Sequence, residues 1–276
     1  MGGVILRFIF IAVNYNGSTF TQEYINSINE LSKDVSDQIE IIIVDNDSKK
    51  EDKDRLIEIA ERNENTKVLW LEKNVGYFKG LNEGIISCTK DSNTFLIIGN
   101  NDLTFEKEFI LNLKLIDIES DTLVIAPNII TKDGRQQNPH VIHRVTRTEK
   151  LKAQIYNSNY YIGQFFKFIN QTLIKKLSSQ KPKLNSYPQM KIKRGIGACY
   201  VLSNNFFNHY EKLDDRVFMW GEEALLSNQV ESVNGVTLYD PNIKIIHHES
   251  ASVKSIESKK KYYMVKESYQ IYKKYL

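Results

Sequence analysis

The sequence predicts an α/β domain built on a mostly parallel central sheet with helices on both faces. Three observations predict it. Runs such as Ile5–Val13 and Ile39–Val44 are continuously apolar, as strands covered on both faces must be. Segments with apolar residues at helical spacing separate these runs, which is the pattern of βαβ units. The 276 residues are 41% hydrophobic, 26% charged and 11% aromatic, an ordinary globular composition that excludes wholesale disorder, collagen-like repeats and rods.

Taken in order, Ile5–Val13 is the first strand and runs into the turn signal Asn14-Tyr15-Asn16-Gly17. Phe20, Tyr24, Ile28 and Leu31 then recur at helical spacing. Ile39–Val44 is a second strand ending at Asp45-Asn46-Asp47-Ser48, Leu56, Ile57 and Ala60 mark a second helix, and Val68–Leu71 is a third strand. Gly80–Ser87 reads as helix and Phe95–Ile98 as a fourth strand that stops at Gly99-Asn100-Asn101-Asp102. Beyond it, Val124–Ile130 reads as strand, Val217–Gln229 as helix with an acidic pair, and Ile243–Ile246 as a last strand ending in His247-His248. The divisions expected are a catalytic domain over 1–253, with halves at 1–131 and 132–253, and a basic aromatic helix over 254–276.

Two cysteines, Cys88 and Cys199, with no CxxC exclude a disulfide scaffold or zinc finger and fit a reducing compartment. No apolar run approaches the ~20 residues that span a bilayer. A cytoplasmic protein is expected. The net charge of +3 hides a segregation. Residues 1–131 carry 13 Lys/Arg against 22 Asp/Glu, whereas residues 132–194 carry 14 against 2. Such a basic excess calls for an anionic partner or a solvated face.

In sheets of this kind ligands bind beyond the carboxyl ends of the strands. Three successive strand ends carry polar clusters: Tyr15-Asn16, Asp45-Asn46-Asp47 and Asn100-Asn101-Asp102. Asn and Asp also serve turns, but three clusters together point to a shared site. Neither GxxxxGK[ST] nor GxGxxG follows the first strand, which disfavours P-loop kinases and ordinary dinucleotide oxidoreductases.

Several pieces, in order and spacing, resemble the family 2 glycosyltransferases of the GT-A fold. They are Val13-Asn14-Tyr15-Asn16, Ile43-Val44-Asp45-Asn46-Asp47-Ser48, Asn74-Val75-Gly76-Tyr77 with Asn82 and Gly84, and Asn100-Asn101-Asp102. Gly195-Ile196-Gly197-Ala198-Cys199, Phe218-Met219-Trp220-Gly221-Glu222-Glu223, and His247 followed by Ser252 extend the likeness. It is nearest to bacterial transferases of surface polysaccharides (capsule or lipopolysaccharide), rhamnosyltransferase-like members included.

The resemblance implies a nucleoside diphosphate sugar as donor and a divalent ion, Mn²⁺ or Mg²⁺, that stabilises the leaving diphosphate. It implies that Asp102 holds this ion as the last residue of a DxD motif whose first position is here Asn100. A histidine completes the metal site, with His247 favoured and His248 left open because neighbouring strand residues face opposite ways. Imidazole suits Mn²⁺ better than Mg²⁺. Tyr15, Asn16, Asp45, Asp47, Asn74, Gly76, Asn82, Asn100 and Asn101 are the expected donor-binding residues, Gly76 by allowing close backbone approach to the donor. Glu222-Glu223 resembles the family's Glu-Asp pair, which makes Glu223 the general base for the acceptor hydroxyl. Trp220 and Met219 are expected to wall the acceptor side or to belong to the core.

The expected acceptor is a saccharide or a polyprenyl-linked one at the inner leaflet. The stripe Tyr161, Phe165, Ile169, Leu173, Leu177 with Phe166 and Ile174, and lysines on another face, has the pattern of an interfacial helix. The tail carries a similar stripe of Tyr262, Val265, Tyr269, Tyr272 and Leu276, for which packing on the protein's own core is expected. A dimer interface is the other use of such stripes, and nucleic acid is not expected because no recognised motif for it is present. Two other functional readings stand beside the transferase: a sugar-phosphate nucleotidyltransferase, and a catalytically degenerate nucleotide-sugar-binding module.

Overall fold

A computed structural model describes residues 5–33, 35–165, 187–249 and 258–276. The predicted stripe positions Phe166, Ile169, Leu173, Ile174 and Leu177, and Ser252, lie outside them. The strands among the described residues are β1 (Arg7–Asn14), β2 (Gln38–Asp45), β3 (Thr66–Trp70), β4 (Thr94–Asn100), β5 (Leu103–Phe105), β6 (Thr122–Thr131), β7 (Met190–Ile192), β8 (Cys199–Leu202) and β9 (Val236–His247). The helices are α1 (Ser18–Ser32), α2 (Lys50–Glu61), α3 (Tyr77–Ser87), α4 (Phe109–Lys114), α5 (Arg147–Tyr156), α6 (Asn204–Phe207), α7 (Glu222–Ser232) and α8 (Ser258–Tyr272).

All strands join one sheet in the order β3-β2-β1-β4-β8-β6-β9-β5, with β7 also on β9. From β3 to β4 every pairing is parallel. Beyond β4 the sheet is mixed: β8 runs antiparallel to both β4 and β6, while β6 and β9 are parallel. Alternation along the strands divides the core into two layers. Phe8, Phe10 and Ala12 face Tyr24, Ile25, Ile28, Leu56 and Phe109, from α1, α2 and α4. Ile9 and Ile11 face Phe78, Leu81, Ile85, Leu226 and Val230, from α3 and α7. Each such side chain taken from water contributes about 1.5–3 kcal/mol.

The register places the polar ends together. Asn14 pairs with Asp45, Val13 with Asn100, and Asp45 with Trp70, so the carboxyl ends of four strands form one edge. β5 begins immediately after Asp102 and pairs antiparallel with the end of β9, Leu103 opposite His247. This three-residue strand brings a residue from each half of the chain to one place.

Two boundaries differ from the sequence reading. β9 spans Val236–His247 rather than Ile243–Ile246 because Asp240-Pro241-Asn242, residue types that usually end a strand, is absorbed as a register shift opposite Pro127 and Asn128. Asn128 Nδ2 donates to the Pro241 carbonyl there at 3.3 Å. α7 starts at Glu222 rather than Val217 because Trp220 (φ 66°) and Gly221 (φ 101°) are both left-handed and interrupt any helix before them.

Candidate active site

At the carboxyl ends of β1, β2 and β4 the polar residues are knitted into a buried network centred on Asn14, which has no exposed surface. Its Nδ2 donates to Asp45 Oδ1 (3.0 Å), Ser48 Oγ (3.0 Å) and Asp52 Oδ2 (2.8 Å). Its Oδ1 accepts from Thr21 Oγ1 and from Asn101 Nδ2, each at 3.0 Å. Asp52 also accepts from the Ser18 amide and hydroxyl. Burial opposes ionisation of Asp52, but the hydrogen bonds from Ser18, Asn14 and Ser48 outweigh it and hold the carboxyl below its ordinary range. Asn14, Thr21, Ser48 and Asp52 were not among the predicted site residues; a run of Asn, Ser and Asp at a strand end does not reveal which one faces inward.

This network revises several expectations. Asp45 is fully buried and caps the next loop by accepting from the Ser48 amide. Asn101 turns toward α1, donating to Asn14, Gly17 and Thr21. Asn82, expected to frame the donor, instead binds the backbone of Leu213 at both ends of its amide and also reaches Asp215. Gly76 does permit a close approach, but its partner is the chain itself: a Cβ there would lie 2.4 Å from the Phe218 carbonyl, at φ 95°. Asn74 bonds the Gly76 amide and Asn46 Nδ2, while Asn46 also bonds Val75 N and Gly76 O, so Asn46 clamps that loop. Tyr15, Asn16 and Asp47 sit at the exposed rim, the last two in left-handed conformations, and Asn16 Oδ1 accepts from the Lys49 amide.

Next to this edge, His247 Nε2 lies 3.3 Å from Asp102 Oδ1 and 3.3 Å from Asn100 Nδ2. Its Nδ1 is 2.7 Å from Gln137 Oε1. That carbonyl oxygen accepts a hydrogen bond from Nδ1–H, which leaves the Nε2 lone pair directed at the carboxylate. His248 faces the other way, 2.7 Å from Thr104 Oγ1 and 3.3 Å from Glu23. The structure therefore brings His247, not His248, to Asp102. A carboxylate oxygen facing an imidazole lone pair, with the imidazole oriented from behind, is a donor set that fits a divalent cation. Among the described residues no third His, Cys, Asp or Glu joins it, so a cation there would take its further ligands from other oxygens, from a bound molecule or from water.

The acidic pair is tied to the same edge. Asn100 N donates to the Ala198 carbonyl (2.9 Å), and the adjoining Gly197 N donates to Glu223 Oε1 (3.2 Å). Tyr77 lies between: its hydroxyl donates to the Gly197 carbonyl at 2.8 Å. Burial chiefly, with neighbours that include both Glu222 and Asp102, pushes its phenol well up. The two carboxylates of the pair diverge. Glu222 is buried, and burial followed by repulsion from Glu223 pushes its carboxyl up to about 8. Glu223 instead lines a cavity of about 310 Å³ with His140, Arg194 and Tyr272.

The loop before the pair is held from outside. Tyr77 N donates to Phe218 O (3.0 Å), Ser268 Oγ donates to Met219 O (2.8 Å), and Lys261 Nζ lies 5.2 Å from the Trp220 ring centre. Tyr272 covers Gly221, where a Cβ would meet its ring at 2.1 Å. Thus α8 braces the segment carrying Met219, Trp220 and the glutamates. Tyr262 and Tyr269 of that helix are buried.

The architecture recurs in solved structures. GalNAc-T7 with UDP, GalNAc and Mn²⁺ aligns with a TM-score of 0.58 at 16% identity, covering 90% of this chain and 44% of that one. The mannosyltransferase PcManGT from Pyrobaculum calidifontis, in complex with GDP-Man and Mn²⁺, aligns at 0.56 and 11%, covering 90% and 59%. S. aureus TarS aligns at 0.56 and 14%, covering 89% and 37%. The chain thus spans between about a third and three fifths of the length of these proteins. No curated protein matches it. The sequence pattern described as glycosyl transferase family 2 matches residues 9–178, more than half of the chain. On that match and this fold, the chain belongs to glycosyl transferase family 2.

Proposed function

We propose that the protein is an inverting glycosyltransferase that moves a sugar from a nucleoside diphosphate sugar to a saccharide or polyprenyl-linked acceptor of a bacterial surface polysaccharide. The observation that carries this reading is the junction at Asn100 and Gly197. There Asn100 N, at the strand end before Asp102, donates to the Ala198 carbonyl, and the adjoining Gly197 amide holds Glu223. A cation site and a carboxylate base are the two groups that direct displacement at an anomeric carbon needs.

Asp102 and His247 would hold the divalent ion, which when bound supplies positive charge to the departing diphosphate. The Mn²⁺ in the GalNAc-T7 and PcManGT structures supports that assignment. Gln137 keeps the His247 lone pair aimed at the site, and Asn100 adds a donor beside it. Glu223, fixed by the Gly197 amide, accepts the proton of the acceptor hydroxyl as that oxygen attacks. Glu222 keeps its proton at neutral pH and so adds no second negative charge beside the base. The exposed ring of Tyr15 at the end of β1 offers apolar contact to the nucleobase. Incubation with UDP-, GDP- and dTDP-sugars in Mn²⁺ should release the nucleoside diphosphate from one of them; no release from any would overturn the assignment.

We further propose contact with an anionic membrane surface. Leu151, Ile155, Tyr161, Ile162 and Phe165, and Tyr263 of α8, are exposed beside Lys150, Lys152, Lys259 and Lys260. Basic residues near an anionic surface contribute ~1 kcal/mol each. No described helix is long and apolar enough to cross a membrane. Co-sedimentation with phosphatidylglycerol vesicles, weakened by salt and by Tyr161→Ser with Phe165→Ser, is the expected outcome; equal binding to neutral vesicles would contradict it.

A further inference from the structure

The cavity lined by Glu223 contains a cation that the proposed chemistry does not use. Arg194 lines it with His140, Val145, Tyr272 and Leu276. Its Nε is buried and has no hydrogen-bond partner, and no carboxylate within 4 Å pairs with its guanidinium among the described residues. Buried donors of this kind are normally satisfied, and an arginine that lines a cavity with no counter-charge beside it offers its guanidinium to an anion that enters. Glu223 lines the same cavity but does not meet the need: it holds the Gly197 amide, and among the described residues it forms no ion pair or hydrogen bond with the guanidinium.

The arginine is also held in place. Its amide and carbonyl exchange hydrogen bonds with Val141 (3.0 and 2.9 Å), and the Ile196 amide donates to Asn138 Oδ1 (2.8 Å). His140 stands on the same loop. Burial first, and then the Arg194 charge, lower its pKa, while Glu223 pulls the other way; the net effect is downward, so the imidazole is neutral at pH 7. The fixed positive charge of the cavity is therefore the guanidinium, whose fork matches the oxygens of a phosphate or carboxylate. The volume, about 310 Å³, lies at the small end of ligand sites. It suits one sugar ring with a charged substituent.

We infer that Arg194 and His140 form an acceptor subsite for an anionic group, so that the sugar is transferred to a hydroxyl close to a phosphate or carboxylate on the acceptor. Arg194 is then the residue that sets acceptor specificity. This rests on the reading of Glu223 as the base, and two measurements separate the proposals.

The first is transfer to matched acceptors: a neutral hexose glycoside, a hexose 1-phosphate, a hexuronic acid, and a hexose on a short alkyl diphosphate. The wild type should prefer the charged acceptors at least tenfold in kcat/KM, and the preferred one identifies the source of the anion. Arg194→Gln should lower that preference at least tenfold, mainly through KM, and Arg194→Lys should restore part of it. Equal use of charged and neutral acceptors, or an equal loss on both in Arg194→Gln, would overturn the inference. The second is calorimetric binding of hexose 1-phosphate with UDP, GDP or dTDP and Mn²⁺ filling the donor side. A Kd at least tenfold weaker in Arg194→Gln, in a variant whose melting temperature matches Arg194→Lys, supports the subsite even if no donor sugar is turned over. Binding unaffected by the substitution refutes it.

Discussion

The two sides of the candidate cleft are built in opposite ways. On the donor side, Asn14 alone joins β1, β2, α1, α2 and the β4 end through five hydrogen bonds. On the acceptor side, Glu222 Oε1 and Arg194 Nε are buried without partners, and Trp220 holds a left-handed conformation that costs a bulky residue about 1–3 kcal/mol. The first side is a dense hydrogen-bonded scaffold at the strand ends. The second keeps unmet polar groups and strain, and it depends on α8 to hold them. Both sides carry candidate chemistry, the Asp102–His247 pair on the first and Glu223 on the second, and they differ in how it is held.

Substitutions should separate the two. Glu223→Gln should lower turnover by about 10²–10⁴-fold while leaving Mn²⁺-dependent nucleoside diphosphate affinity and melting temperature near the wild type. Asn14→Ala should do the reverse in kind, costing about 3 kcal/mol in urea unfolding because Asp45 and Asp52 lose a donor inside the protein. If Asn14→Ala is as stable as the wild type, the contrast fails on the donor side.

Glu222 yields a pH effect. Its native carboxyl titrates at about 8, above the unfolded value of 4.5, so between these values the native state keeps a proton that the unfolded chain releases. Stability should therefore fall as pH rises through that window. Glu222→Gln should leave the melting temperature unchanged at pH 4.5 and raise it by roughly 2–4 °C per kcal/mol recovered at pH 8.5. A parallel pH dependence in variant and wild type would exclude the protonated acid. The smallest effect belongs to Ser268→Ala, which removes one hydrogen bond to Met219 and should cost about 1 kcal/mol in thermal or urea unfolding.

The sequence made the first half legible because its strands are uninterrupted apolar runs and its polar clusters fall at their ends. What it concealed was orientation. Asn82 and Asn101 carry the right chemistry at the right spacing, yet their amides turn inward, and only packing decides that. The choice between His247 and His248 was likewise open until β5 fixed the register of β9. Nothing in the sequence marks Gln137, His140 and Arg194, because they lie in a basic, irregular stretch with no periodicity to single out a face. They reach the site through long-range contacts: Gln137 with His247, and His140 and Arg194 beside Glu223.

The central claim is that Asp102 and His247 form one cation site shared with the donor diphosphate. Its most direct test is calorimetry of nucleoside diphosphate binding with and without Mn²⁺ in the wild type, His247→Ala and His248→Ala. The account predicts that Mn²⁺ strengthens binding in the wild type and in His248→Ala, and that the enhancement disappears in His247→Ala. Enhancement that survives His247→Ala, or is absent from the wild type, would contradict it.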